Sequence, residues 1–183
     1  MQNYKDLMWE HHHHRFGLAG EGQADVIEDI LKAQRGRVLN IGCGSDLAKI
    51  ERLAAACDSL IAADREFSLP EGGSRGIPTR LARFVVTDAR HLALGDSSVD
   101  HIVALGLFAW IPQDETSQVI AEFVRVCRSS GDVMITNSVL RPREHYRSCA
   151  IDADFRIVEE SEGYCPAASG DVKRRYLLVL RRP

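Results

Sequence analysis

The sequence predicts an α/β fold built on one largely parallel sheet with helices on both faces. Short apolar runs alternate with segments of helical periodicity through most of the 183 residues. The runs are nearly continuously apolar, as in residues 102–105 (IVAL), which is typical of strands buried on both faces. The last two strand-like runs lie too close together for a helical crossover, so we expect them to pair antiparallel at one edge.

The same two patterns, short apolar runs and helical periodicity, predict the individual strands and helices along the chain. Apolar residues recur at helical spacing through 24–32, and Gly36 follows them as a stop signal. Helical patterns also cover 46–57 and 113–127, and a short helix is predicted over 143–150. Strands are predicted at 37–41, 59–63, 84–87, 99–105, 132–136, 155–159 and 175–181.

Composition limits the class of protein. The chain is 45% hydrophobic, with a net charge of −3 and a pI near 6.2. We expect a single domain over 1–183, with residues 1–22 as an N-terminal arm or lid. The acidic balance argues against a nucleic-acid partner, which would favour a basic stripe. No apolar run approaches the ~20 residues that span a bilayer, and no signal-peptide pattern is present, so we expect a cytoplasmic protein without a membrane partner.

Cysteine and histidine do not form a metal-binding pattern. The 5 cysteines are scattered without a CxxC pair, which is typical of reduced thiols that pack as small apolar residues. Residues 11–14 are four consecutive histidines, of which a helix would place only His11 and His14 on one face. A specific metal site usually needs a third convergent ligand, so we predict no metal.

Candidate chemistry follows the predicted strands, where an open α/β sheet binds its ligands. The first strand leads into a glycine turn at 42–44, the second ends at Asp64, the third at Asp88 and the fourth at Gly106. Each signal alone has a plain structural explanation as a turn or a helix cap. Together they suit an adenosyl ligand, because glycines allow close approach to the backbone and a carboxylate can accept two ribose hydroxyls.

The ordered set resembles class I S-adenosylmethionine (SAM)-dependent methyltransferases of the broad type with GCG in the first motif. The matching stretches are 38–44 (VLNIGCG), 61–64 (IAAD), 86–89 (VTDA), 92–103 (LALGDSSVDHIV) and 123–131 (FVRVCRSSG). The resemblance implies a three-layer Rossmann-like methyltransferase fold. Its seven-stranded, mostly parallel sheet would have the order 3-2-1-4-5-7-6, with strand 7 antiparallel. It also implies SAM as the cofactor.

By that resemblance, each strand end holds a different part of the cofactor. The glycine turn would cradle the methionine part, Asp64 would bind the ribose hydroxyls, and Asp88 with the Ala89 amide would face the adenine. The full predicted set of cofactor-binding residues is Asn40, Gly42, Cys43, Gly44, Asp64, Arg65, Asp88, Ala89, Leu105 and Gly106.

The sequence departs from the family pattern in three places. Asn40 stands where an acidic residue is usual, which keeps hydrogen bonding but removes a charge near the cofactor's ammonium. Asp46 stands where a third glycine is common, either as a helix cap or as a replacement carboxylate. Residues 68–79 are irregular where many relatives carry a helix.

The acceptor side would be formed by the N-terminal arm and the loop after the fourth strand. Trp9, Phe108 and Trp110 are the predicted substrate-binding residues, and packing is the alternative for the aromatic set. Candidates for a general base are His11, His14 and His145, whereas His101 lies inside a strand and is interpreted as structural.

The resulting prediction is an enzyme that transfers a methyl group from SAM to a small-molecule acceptor, and a homodimer is one hypothesis for its assembly. The alternative is a SAM-binding protein without transferase activity, such as a degenerate regulator or partner subunit. A dinucleotide-dependent oxidoreductase is disfavoured because Leu47 holds the third glycine position of GxGxxG. A nucleic-acid methyltransferase is disfavoured because Gly106 to Phe108 replaces the Asn/Asp-Pro-Pro-aromatic motif.

Overall fold

A computed structural model of the chain describes residues 23–44, 47–66, 82–138, 143–166 and 172–183. Its strands are β1 (Arg37–Ile41), β2 (Ser59–Asp64), β3 (Ala82–Val86), β4 (His101–Leu105), β5 (Asp132–Ser138), β6 (Arg156–Pro166) and β7 (Val172–Arg181). These form a single seven-stranded sheet in the order β3-β2-β1-β4-β5-β7-β6. Strands β1 to β5 pair in parallel, and β7 pairs antiparallel with both β5 and β6. The predicted fold and sheet order are confirmed.

Helices cover both faces of the sheet. They are α1 (Gln23–Gln34), α2 (Leu47–Ala56), α3 (Thr116–Val126) and α4 (Arg143–Asp152). Successive residues of β1 enter opposite cores, since Val38 packs with α1 and α2 while Leu39 packs with α3 and α4. Within the described ranges, none of the helices combines the length and the apolar composition needed to cross a bilayer.

Several element boundaries differ from the sequence prediction for local reasons. β4 begins at His101, because Val99 makes only an isolated bridge with Cys127. The helix predicted over 113–127 is divided, with a 3-10 turn at Gln113–Glu115 before α3 begins at Thr116. β6 and β7 are longer than predicted, because they continue to pair with each other beyond the end of β5.

A buried polar cluster fixes the amino ends of the central strands. Arg181 donates to both carboxylate oxygens of Asp132 at 2.7 and 2.9 Å, and Gln34 donates to the same carboxylate at 2.7 Å. His101 Nδ1 accepts from the Asp132 amide at 3.2 Å, and burial lowers the pKa of this histidine. His101 is therefore a neutral structural group at the opposite end of β4 from the predicted cofactor site.

Candidate functional site

Hydrogen bonds hold the glycine turn after β1 against the end of β2. The amides of Gly42 and Cys43 both donate to the Ala63 carbonyl, at 2.8 and 3.1 Å. The Gly44 amide donates to Oδ2 of Asp64 at 2.8 Å. The strand register therefore brings together the turn and the carboxylate that the sequence predicted to share one ligand.

The two glycines of this turn have left-handed backbones and different surroundings. Gly42 has φ of +71°, and a Cβ there would lie 3.0 Å from Leu107 Cδ1 in the loop after β4. Gly44 has φ of +59°, and no heavy atom lies within 4 Å of where its Cβ would be. Gly42 thus permits close packing between two loops, while Gly44 leaves its backbone open to a ligand.

Asp64 retains acceptor capacity after its own backbone contacts. Its Oδ2 accepts the Gly44 amide and its Oδ1 accepts the Glu66 amide at 3.2 Å. Each carboxylate oxygen has a second lone pair, so two further donors can be accommodated. Arg65 lies beside it on the rim, where its exposed side chain pairs with Glu66 at 3.5 Å.

The end of β3 joins the same edge. The Thr87 amide donates to the Asp64 carbonyl at 2.9 Å, and Val86 is paired in register with Asp64. Val86 is 69% exposed, an apolar surface beside a carboxylate that sequence reasoning did not include. Its place as the first residue of the 86–89 stretch is the signal that could have identified it. Ala89 is buried.

Asp88 is bound by a partner that the sequence analysis missed. Arg90 donates to its Oδ1 through both the backbone amide and Nε, at 2.9 and 2.8 Å, and to its Oδ2 through Nη2 at 2.5 Å. The Arg90 hydrogen bonds, together with its charge, lower the pKa of Asp88 to about 2. Glu115 accepts the remaining Nη1 of Arg90 at 2.7 Å. The contact between Asp88 and Arg90 could have been suspected because the two residues are only two positions apart. Nothing in the sequence indicates the contact between Arg90 and Glu115.

Asn40 lies in β1 just before the glycine turn, and Cys43 lies within the turn. Asn40 is fully buried, and neither of its side-chain polar atoms has a hydrogen-bond partner among the described residues. Such an uncompensated amide is unusual in a folded protein. Cys43 is also fully buried, and desolvation raises the pKa of its thiol to about 12, so it is present as the protonated, unreactive form.

The loop after β4 forms the other side of the turn. Leu105 and Gly106 are half-buried, and the Gly106 amide donates to the Thr136 carbonyl at 3.0 Å. Phe108 is fully buried, with its ring centroid 6.1 Å from Phe123 and 5.1 Å from Tyr146. These are core contacts, so the structure agrees with the alternative in which Phe108 is a packing residue and not a substrate-binding one.

Two further acceptor-side candidates are Trp110, in the loop after β4, and His145, in α4. Trp110 is 43% exposed. His145 Nε2 lies 3.0 Å from the carbonyl oxygen of Gln113, which can only accept, so Nε2 is the donor of this hydrogen bond; Cys149 Sγ lies 3.8 Å from the same nitrogen. The remaining predicted residues, Trp9, His11 and His14, lie outside the described residues, as does Asp46.

A profile for a family described as a methyltransferase domain matches residues 39–135, which is more than half of the chain. The chain belongs to this methyltransferase family. Together with the sheet order, the match makes it a class I SAM-dependent methyltransferase, as the sequence motifs implied.

A curated relative of this methyltransferase is a phosphatidylethanolamine N-methyltransferase from Cereibacter sphaeroides. The two are 30% identical over 142 residues, which represent 74% of this chain and 66% of the relative. The match therefore spans slightly less than two thirds of that relative's length.

Solved structures of low sequence identity share the fold. A 1,6-didemethyltoxoflavin-N1-methyltransferase from Burkholderia thailandensis superposes with a TM-score of 0.72 at 16% identity, covering 98% of this chain and 87% of its own. A TehB-like SAM-dependent methyltransferase from Corynebacterium glutamicum has a TM-score of 0.69 at 16% identity, and the superposition covers 100% of this chain and 97% of that structure.

The described residues of the methyltransferase fit its cofactor, SAM. The open backbone at Gly44, the spare lone pairs of Asp64 and the orphaned amide of Asn40 are each a feature that a bound ligand would complete. Bound SAM supplies an electrophilic methyl group on a sulfonium. The protein's part is then to hold the acceptor in line with that methyl group and to exclude water.

Proposed function

We propose that this methyltransferase transfers the methyl group to the amine of a small molecule, and that an ethanolamine phospholipid is the acceptor to test first. The observation that carries the proposal is the 30% identity to a phosphatidylethanolamine N-methyltransferase over most of this chain. The match to the methyltransferase family supports the methyl transfer, and the relative supports the choice of acceptor.

The chemistry needs little from the protein beyond orientation. A neutral amine attacks the methyl carbon, the N–C bond forms, and the electron pair of the breaking C–S bond returns to sulfur. The product ammonium then loses a proton to water or to a base. We propose that Nδ1 of His145 receives that proton, because its Nε2 is held as a donor to the Gln113 carbonyl.

The proposed cofactor contacts are those given by the strand ends. Asp64 accepts the two ribose hydroxyls, and the backbone of the glycine turn accommodates the methionine part of the cofactor. Leu105 and Gly106 line the opposite side, and Arg65 lies at the rim. Trp110, in the loop after β4, contacts the acceptor.

Binding is the first experiment. Calorimetry with SAM and S-adenosylhomocysteine (SAH) would compare the wild type with Asp64→Ala. Asp58→Ala is the matched control, because Asp58 also accepts a glycine amide, that of Gly36 at 3.0 Å, at the other end of the sheet. Saturable binding lost only in Asp64→Ala supports the site. Absence of binding in folded wild type contradicts the proposed contacts.

Transfer is the second experiment. Tritium from methyl-labelled SAM would be followed into mixed micelles of phosphatidylethanolamine, with phosphatidylcholine micelles and free ethanolamine as parallel acceptors. Label in the phosphatidylethanolamine micelles alone supports the lipid acceptor. Label in free ethanolamine moves the proposal to a soluble amine, and SAM binding without label in any of the three contradicts this acceptor class.

Assembly, domain extent and location stay predictions. The single domain over 1–183, the arm at 1–22, the homodimer and the cytoplasmic location each rest on the sequence. Light scattering across a range of protein concentrations tests the dimer, and a constant monomer mass would count against it.

A further inference from the structure

Asp88, the carboxylate predicted to face the adenine of the cofactor, has one free acceptor position. Its Oδ1 already accepts two donors of Arg90, the backbone amide and Nε, and its Oδ2 accepts one, Nη2. A carboxylate oxygen accepts about two hydrogen bonds in its plane, so a single lone pair on Oδ2 of Asp88 remains. An exocyclic amino group needs one such acceptor.

Arg90 is itself held from a second loop. Its Nη1 donates to Glu115, which lies in the 3-10 turn after β4. The three side chains are similarly half-buried, at 26% exposed for Asp88, 29% for Arg90 and 30% for Glu115. A planar guanidinium bound at two ends fixes both the position and the plane of the carboxylate that it grips.

The turn that carries Asp88 is also held by one face of the helical segment after β4. The residues of this face recur at spacings of three and four, and they are Glu115, Gln118, Glu122 and Arg125. Glu122 accepts the Leu92 amide at 2.7 Å, and Arg125 donates to the Leu92 carbonyl at 3.0 Å. Because these contacts fix the backbone, the freedom of the Asp88 side chain depends on Arg90.

We propose that Arg90, held by Glu115, is a positioning residue that aims Asp88 at the exocyclic amino group of adenine and so determines the selectivity for adenosyl ligands. The inference rests on the SAM cofactor and is independent of the acceptor. A fixed carboxylate accepts the amino group of adenine and repels the carbonyl oxygen that replaces it in hypoxanthine. A carboxylate free to rotate discriminates less, because it can turn away from that oxygen.

The test compares two ligands that differ at this one substituent. Calorimetry would measure the Kd of SAH and of S-inosylhomocysteine for wild type, Arg90→Ala, Arg90→Lys and Arg125→Ala. Arg125→Ala is the matched control, since it removes an arginine that holds the same turn without touching Asp88. Thermal unfolding would establish that each variant is folded.

The ratio of the two Kd values is the decisive readout. We expect wild type to prefer SAH by about 10-fold or more, as for a charge-assisted hydrogen bond. The ratio should fall to about 1–3 in Arg90→Ala, take an intermediate value in Arg90→Lys, and persist in Arg125→Ala. If Arg90→Ala does not fold, the reduced ratio of Arg90→Lys against wild type carries the test.

Three results would overturn the inference. One is the absence of any preference in wild type that still binds SAH. Another is an undiminished ratio in folded Arg90→Ala or, if that variant is unfolded, in Arg90→Lys. The third is an equal loss of selectivity in Arg125→Ala, which would assign the effect to general loosening of the turn. Failure of wild type to bind SAH at all would instead contradict the cofactor site.

Discussion

Replacing Asn40 by leucine should stabilise the free protein and weaken cofactor binding. Asn40 is fully buried in β1, and neither its Oδ1 nor its Nδ2 has a hydrogen-bond partner within the described ranges. Its register neighbours, Ala62 and Val103, are buried apolar residues. Leucine has the same number and branching of side-chain heavy atoms and brings no polar group into this environment.

The magnitude follows from the cost of an unpaired buried amide. Burying such a group without a partner costs about 1–3 kcal/mol in proteins, and Asn40→Leu removes that cost. For a chain of this length each kcal/mol corresponds to about 2–4 °C, so the melting temperature should rise by about 2–12 °C. Loss of one hydrogen bond to the bound ligand, at about 1 kcal/mol, should raise the Kd of SAH about five-fold.

Thermal unfolding with and without SAH measures both effects on one sample. The variant should melt higher than wild type alone and show a smaller ligand-induced shift. Thr136→Val is the matched control, because the Thr136 hydroxyl is also fully buried without a partner in the described part of the chain. It should raise the melting temperature and leave the SAH shift unchanged. A lower melting temperature for Asn40→Leu together with undiminished binding would refute the reasoning.

Three further predictions concern sterics, acid stability and thiol reactivity. Gly131→Ala should lower the free energy of unfolding in urea by about 3 kcal/mol or more, because the new Cβ would lie 1.9 Å from the Asp100 carbonyl oxygen. At the control position Gly95, a Cβ would meet no atom within 4 Å, so Gly95→Ala should change the free energy of unfolding by no more than about 0.5 kcal/mol. Burial lowers the His101 pKa below its usual 6.5, so the stability it contributes is present above pH 6.5 and lost as the pH falls further. His101→Gln should therefore lose less stability than wild type between pH 7.5 and 5.5, and equal losses would count against this cause. When the native protein is treated with iodoacetamide at pH 8, peptide mapping should find the half-buried Cys149 alkylated before Cys43. The reason is that burial raises the pKa of the Cys43 thiol to about 12. Alkylation of Cys43 before Cys149 would be inconsistent with that burial.

The sequence was most informative where the chain is apolar and periodic. β1 was predicted at its observed bounds, because an apolar run between Gly36 and Gly42 leaves no other choice. The antiparallel edge was predicted from the short connection alone. By contrast, β6 and β7 were predicted too short, since they continue to pair with each other over residues where the sequence shows no regular apolar pattern.

Within the site, backbone features could be predicted better than side-chain partners. The glycine turn and Asp64 are adjacent because neighbouring parallel strands end together, a property of topology. The link from Arg90 to Glu115 joins residues 25 apart across two loops, and no local pattern signals it. Phe108 shows the same limit. From the sequence alone, an aromatic residue after β4 could equally line the acceptor site or pack in the core, and only its contact with Tyr146 distinguishes the two.

The position of β7 has a consequence for how the sheet comes apart. β6 is attached to the sheet through β7, which is inserted between it and β5. Any opening that frees β7 from β5 also removes β6, whereas β6 can detach while β7 remains. Amide protons in β6 should therefore exchange with solvent at least as fast as those in β7, and strands β1 to β5 should retain protection after the hairpin has opened. The carboxyl edge of β1 to β4, the proposed cofactor site, would therefore remain folded after β6 and β7 have detached.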